Sequence, residues 1–331
     1  MVKEIPIKML VTLLRSRRAV VVRLATRFVK YLYTELLGFP RRTPATSCVS
    51  AVIRAGTTKF PLIRTQVNFL KETNMPILVA WALDDVLVEP EIPKNSASSH
   101  TLAHVLNSPE TRVEQVTAAM SSWIQSILSG CNSLETGMTH HLPEAYIKTV
   151  FAVNQQQYSI LSFLPSRKKL IPRGSRAAPP PLPLPEYIEM KDRCKIEYVD
   201  IQPKTDNTTD KPATIVVLHG APGSYQDFRY LIPLVQRPGV RIVGINLPGY
   251  EGSTVAKSHY LESISALPTA QLTFDALQQL TSTSESVFLL GHSFGAQTAI
   301  NMAALKAAKS RTALNIRGLA LLAPSAAVPI M

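Results

Sequence analysis

Two rhythms of apolar residues run along this chain. A continuous run rich in Val and Ile occurs at Ala213–Leu218 and a shorter apolar one at residues 287–290, with further strand-like runs, each holding one arginine, at Val240–Ile245 and Ile316–Leu322. Their length and β-branched content predict strands buried on both faces. Residues 296–303, Ala-Gln-Thr-Ala-Ile-Asn-Met-Ala, read as helix between two of them, and a helix through Phe228 and Leu234 follows the first. Strand, helix, strand, helix, strand in this order predicts an α/β fold with a doubly wound, mostly parallel sheet. In such sheets ligands bind beyond the carboxyl ends of the strands. A further strand-like run, Pro-Ile-Leu-Val-Ala-Trp-Ala-Leu, begins at Pro76, whereas none stands out between Ala97 and Gly137.

The front of the chain has the other rhythm. Leu10, Leu14, Val21, Leu24, Phe28 and Leu32 recur at roughly helical spacing, with Arg15, Arg18, Arg23, Arg27 and Lys30 on other faces, and Gly38-Phe39-Pro40 ends the pattern. Three readings fit a basic amphipathic helix: a cap over a ligand site, a helix lying on a membrane surface, or a mitochondrial leader. Glu4 and Glu35 speak against the leader, and arginines every few residues exclude a membrane-spanning helix. Residues 165–185 hold Ser166-Arg167-Lys168-Lys169 and then Pro179-Pro180-Pro181-Leu182-Pro183-Leu184-Pro185. Such a run favours extended polyproline II and reads as a linker; docking of an SH3- or WW-type domain is the lesser alternative.

The chemistry concentrates after residue 212. Gly291-His292-Ser293-Phe294-Gly295 joins a predicted strand to a predicted helix. This is a G-x-S-x-G nucleophile elbow in the setting it requires, with Ser293 as candidate nucleophile. A plain small-residue turn whose serine caps a helix is the alternative. His219-Gly220-Ala221-Pro222 follows another strand, and Asn246-Leu247-Pro248-Gly249-Tyr250-Glu251-Gly252-Ser253 follows a third.

These three motifs resemble the α/β-hydrolase superfamily over residues 190–331. The resemblance implies that the backbone N–H groups of Ala221 and Phe294 form an oxyanion hole, with His219 shaping the turn rather than acting as a base. It also implies an acid and a histidine downstream of the nucleophile, yet no Asp, Glu or His follows Ser293. The missing parts resemble segments near the front. Residues 76–88 are similar to the family's late strand, which puts the acid at Asp85 with Asp84 as alternate. Met138-Thr139-His140-His141-Leu142-Pro143-Glu144 is similar to its histidine loop, which puts the base at His141 with His140 as alternate; His100 and His104 follow Asp85 too closely. A solvated Asp-Asp turn and an exposed His-His pair are the plain alternatives.

The parts thus read in permuted order: a basic helical cap (1–75), the later half of a hydrolase core (76–160), a Pro-rich linker (161–189) and its earlier half (190–331). Either a circular permutation or a fusion of two hydrolase fragments yields this order, since permutation is tolerated where termini are close and exposed. A looser resemblance is to a poorly characterised invertebrate group of α/β-hydrolase-like proteins with a basic helical cap. The implied activity is a serine hydrolase of ester or similar acyl bonds, acting on a small-molecule ester or lipid-like substrate without cofactor or metal. A non-catalytic hydrolase-like binding protein is the rival. Epoxide hydrolases and haloalkane dehalogenases carry aspartate at the elbow, which disfavours both.

Composition narrows the partners. Of 331 residues 46% are hydrophobic, which excludes wholesale disorder, and the formal net charge is +12. No basic patch is interleaved with aromatics as in a nucleic-acid module, so an anionic membrane surface or acidic substrate suits that charge better. Three widely spaced cysteines, Cys48, Cys131 and Cys194, imply neither a disulfide framework nor a zinc site. An intracellular, membrane-associated or mitochondrial location is expected.

Overall fold

Alternation within each strand sends one set of side chains to each face of a central sheet, and both faces are covered. The computed structural model describes residues 4–82, 101–106, 124–125, 127–128, 181–190, 194–203, 213–308 and 314–324. Four helices come first: α1 (Glu4–Leu14), α2 (Ala19–Tyr31), α3 (Ala45–Thr57) and α4 (Phe60–Glu72). The strands are β1 (Ile77–Ala82), β2 (Thr101–Leu106), β3 (Glu186–Met190), β4 (Cys194–Ile201), β5 (Ala213–Leu218), β6 (Val240–Ile245), β7 (Thr254–Val255), β8 (Ser286–His292) and β9 (Ile316–Leu322). Helices α5 (Ala266–Leu280) and α6 (Phe294–Ala308) flank β8 in the chain.

The strands run β2-β1-β9-β8-β5-β6-β4-β3 across one sheet, with β7 on β4. Every pair from β2 to β6 is parallel, and β3, β4 and β7 form an antiparallel margin. The sheet is therefore mostly parallel and doubly wound, as the sequence predicts. Val216 and Leu218 face α4, α5 and α6, while Ile215 and Val217 face Tyr225, Phe228 and Ile232. β5 is buried along its whole length, which explains its unbroken apolar run.

The run starting at Pro76 does form a strand, and β1 lies parallel beside β9, with Ile77 level with Leu319 and Ala80 level with Leu322. A strand also exists where none stands out in the sequence. β2 pairs with β1, placing His104 level with Ala80. It is six residues long and the last strand of the sheet among the described residues, and His104 interrupts its apolar residues, so it lacks the signature of a buried strand. The antiparallel margin begins at Glu186, inside the interval read as linker, and Pro181–Pro185 before it have no regular structure. The single helix expected through Phe228 and Leu234 is instead a 3-10 turn, Tyr225–Phe228, followed by one helical turn, Ile232–Val235. A reciprocal capping box between Ser224 and Asp227 satisfies the free donors at the start of the first turn.

The front of the chain also differs from a continuous amphipathic helix. The chain breaks between α1 and α2 near Ser16, and a π-helical turn, Leu32–Leu36, follows α2. Leu10, Val11, Leu14, Ala25 and Val29 pack with Cys48, Val49, Val52 and Ile53 of α3, and with Ile264. Leu24 and Phe28 of the helical stripe are 59% and 52% exposed. Leaving two such side chains in water forgoes about 2 kcal/mol each.

Candidate active site

A strand that must turn sharply into a helix forces one residue into left-handed backbone, and here that residue is Ser293, with φ of 52°. The conformation is uncommon for anything but glycine and is the strained turn that the elbow motif requires. Two neighbours make it possible. A Cβ on Gly291 would lie 2.5 Å from the Ala296 nitrogen, and one on Gly295 would lie 2.7 Å from the Leu218 carbonyl carbon. Only hydrogen fits at either position, because both obstacles are backbone. The Ser293 N–H donates to the Leu322 carbonyl at 3.0 Å, which ties the elbow to the end of β9. The Phe294 N–H stands at the first position of α6, where helices leave their donors unused.

The turn after β5 packs directly on this elbow. A Cβ on Gly220 would be 3.2 Å from Ser293 Cβ and 3.0 Å from His292 Nδ1. The half-buried Ala221 follows, so the sequence-predicted Ser293, Phe294 and Ala221 share one corner at the carboxyl edge of the sheet. His219 is fully buried. The Leu247 N–H donates to its Nε2 at 2.9 Å, and its Nδ1 donates to the Gly220 carbonyl at 2.6 Å. Both ring nitrogens are thus committed and the ring is neutral. Burial pushes its pKa down to about 3, and a T-shaped contact with Tyr250 at 5.0 Å closes its other side. His219 holds the turn after β5 to the turn after β6, in agreement with its reading as a structural residue.

The turn after β6 is tied down in the same way. Ser253 Oγ donates to the Asn246 carbonyl at 2.6 Å, and the Glu197 N–H donates to Ser253 Oγ at 2.9 Å. Glu197 accepts from the Gly252 N–H at 3.1 Å and from the Asn246 side chain. Ser50 of α3 donates to the Gly249 carbonyl at 3.1 Å, so the helical layer rests on this turn.

One residue at the site was not found by sequence reading. Arg54 of α3 is 1% exposed and donates Nη2 to the Phe294 carbonyl at 3.0 Å. Its Nε and Nη1 make no hydrogen bond of ordinary geometry among the described residues, and the Tyr250 hydroxyl beside the guanidinium favours its charged form. Burial lowers the Arg54 pKa and raises that of Tyr250 to about 12. The contact joins positions 240 residues apart, and no local pattern marks this arginine among the many in the chain.

Asp85, Asp84, His141 and His140 lie outside the described residues. The strand leading to the two acids does not: Ala80 of β1 and His292 of β8 are both level with Leu322 of β9. β1 therefore ends at the same edge of the sheet as the elbow, two strand spacings or about 10 Å away. Among the described residues no group of acids, histidines and cysteines is arranged to hold a metal.

Known proteins agree with this geometry. Residues 189–327 match the model of a family described as alpha/beta hydrolase of unknown function (DUF1057). Over 98 residues it is 34% identical to "Phospholipase YtpA" of Bacillus subtilis (strain 168), covering 28% of this chain and 34% of that protein. Among solved structures it is similar to the esterase EaEST from Exiguobacterium antarcticum, at 26% identity and a TM-score of 0.33, covering 42% of this chain and 44% of that one. It is also similar to the N-acyl homoserine lactonase AidH, at 20% identity and a TM-score of 0.34, covering 43% and 45%. The chain spans about a third of the length of the curated relative and less than half of each structure.

Proposed function

We propose that this protein is a serine hydrolase cleaving an ester or similar acyl bond, with Ser293 as nucleophile. One observation carries the reading: a serine in left-handed backbone at a strand-to-helix turn, with Gly220 of the His-Gly-Ala-Pro turn packed against its Cβ. In the proposed mechanism Ser293 Oγ attacks the acyl carbon while His141 takes its proton. The backbone N–H groups of Ala221 and Phe294 stabilise the oxyanion, charge that exists only in the transition state and the intermediate it leads to. His141 then returns the proton to the leaving group, and water reverses the sequence to release the acid. Asp85 orients the imidazole and stabilises its charged form. Support for Asp85 comes from β1, which points its end toward the edge that carries Ser293.

In this reading the chain holds the later half of the hydrolase core first and the earlier half second, in permuted order. β1 and β2 from the front complete the sheet beyond β9. The substrate proposed is a small ester or lipid-like molecule, in keeping with the phospholipase and esterase names of similar proteins. The test is labelling of the folded protein with a fluorophosphonate. Wild type is expected to be labelled and Ser293→Ala not at all; labelling that persists in the variant moves the nucleophile elsewhere. A folded wild type that takes no label assigns the fold to binding rather than catalysis.

A further inference from the structure

Among the described residues the helical layer over the site leaves one face unused, and its chemistry is ordered. On a helix of 3.6 residues per turn, Val20, Tyr31, Leu24 and Phe28 of α2 fall within one arc of about 80°. Val20 is 67% exposed and Tyr31 54%, like Leu24 and Phe28 more than half open to solvent. Arg23, Arg27 and Lys30 occupy the adjoining arc of about 60°, on the side away from buried Ala25 and Val29. Packing against α3 thus uses a third arc and leaves an apolar stripe with a cationic stripe beside it. The end of α1 adds Met9 and Leu13, 58% and 37% exposed, and Arg15, Arg17 and Arg18 follow.

We propose that α2, with the end of α1, docks this protein on an anionic phospholipid surface, apolar stripe in the acyl boundary and cations at the headgroups. Charge complementarity selects this occupant. From Ile5 to Thr34 the sequence holds seven Lys and Arg and no Asp or Glu. An amphipathic helix of that composition lies in the interface plane. Among the described residues no helix is long and apolar enough to cross a membrane, so contact is with the surface. The docking face is one helix layer from the elbow, because α3 packs on α1 and α2 and also touches Phe294 through Arg54. The surface goes beyond the proposed hydrolysis and does not depend on Ser293.

The experiment is sedimentation of the full chain with vesicles, using Ser293→Ala alongside wild type so that hydrolysis cannot confuse the result. One set is phosphatidylcholine and the other phosphatidylcholine with phosphatidylserine. Both proteins are expected to bind the anionic set preferentially, and less as salt rises. Arg23→Ser/Arg27→Ser is expected to lower binding to the anionic set about thirtyfold, two charges each contributing about a factor of five. Leu24→Ser/Phe28→Ser is expected to lower it at least about tenfold without altering the circular dichroism. Equal binding to both vesicle sets, or none, overturns the proposal. So does self-association of wild type in sedimentation velocity that Leu24→Ser/Phe28→Ser abolishes while vesicle binding stays, which assigns the stripe to a second copy.

Discussion

Two buried basic side chains meet the elbow from opposite parts of the chain and are treated differently by the fold. His219 comes from the strand-and-turn region after residue 212 and has both ring nitrogens hydrogen-bonded. Arg54 comes from the helical region before β1, and among the described residues two of its three nitrogens make no hydrogen bond of ordinary geometry. The histidine belongs to a corner that satisfies itself through neighbouring turns. The arginine bridges two regions distant in sequence and makes a single bond to the backbone of the elbow. A corner of the first kind is stiff and costly to disturb, whereas a bridge of the second kind costs little stability and acts through position.

The largest effect is expected inside the corner. Gly295→Ala drives a Cβ into the Leu218 and His219 carbonyls, backbone atoms that cannot give way, and is expected to cost more than about 4 kcal/mol by urea unfolding. His219→Gln is expected to cost about 2–4 kcal/mol, since it disturbs the Leu247 N–H and the Gly220 carbonyl together. It also carries a pH signature. His219 has a folded pKa of about 3, below its ordinary value of 6.5, so between these values the unfolded chain binds more protons. Its contribution is complete above about pH 6.5 and declines as pH falls toward 3, with a slope of at most about 1.4 kcal/mol per pH unit. Unfolding of His219→Gln across that window is expected to lack this slope; an unchanged slope would mean the ring is not buried neutral.

Smaller effects are expected at the bridge. Arg54→Met removes a buried charge without leaving a counter-charge unpaired, so its stability is expected to lie within about 1 kcal/mol of wild type. Its fluorophosphonate labelling is expected to be about tenfold slower, because the Phe294 carbonyl loses its anchor. A loss of several kcal/mol with normal labelling would make Arg54 part of the stiff corner instead. The smallest effect is expected at Ser293. At φ of 52°, Ser293→Gly is expected to be about 1 kcal/mol more stable than Ser293→Ala, with neither taking the fluorophosphonate label.

The same division explains what could be read from the sequence. β5 is buried along its whole length and β6, β8 and β9 nearly so, and they therefore appear as runs dominated by apolar residues. The elbow and the turn after β5 are local devices whose glycines and serine must be adjacent in the chain, so the corner was visible before any coordinates. β2 was not, because a short strand carrying His104 has no such run. The helical stripe was visible, but which of its arcs packs depends on α3, and Leu24 and Phe28 fell outside. Arg54 could not be singled out, since its partner is set by how two regions dock. Asp85 and His141 are readings of resemblance, and the placement of β1 bears on Asp85 alone.

The most direct test of a site shared between the two regions is the rate of fluorophosphonate labelling in four single variants. Asp85→Asn and His141→Ala are each expected to slow labelling of Ser293 by about 10³–10⁴, as loss of a triad member does, with Asp84→Asn and His140→Ala within a few fold of wild type. If all four variants label at the wild-type rate, the front of the chain contributes no catalytic partner to Ser293 and the account is contradicted.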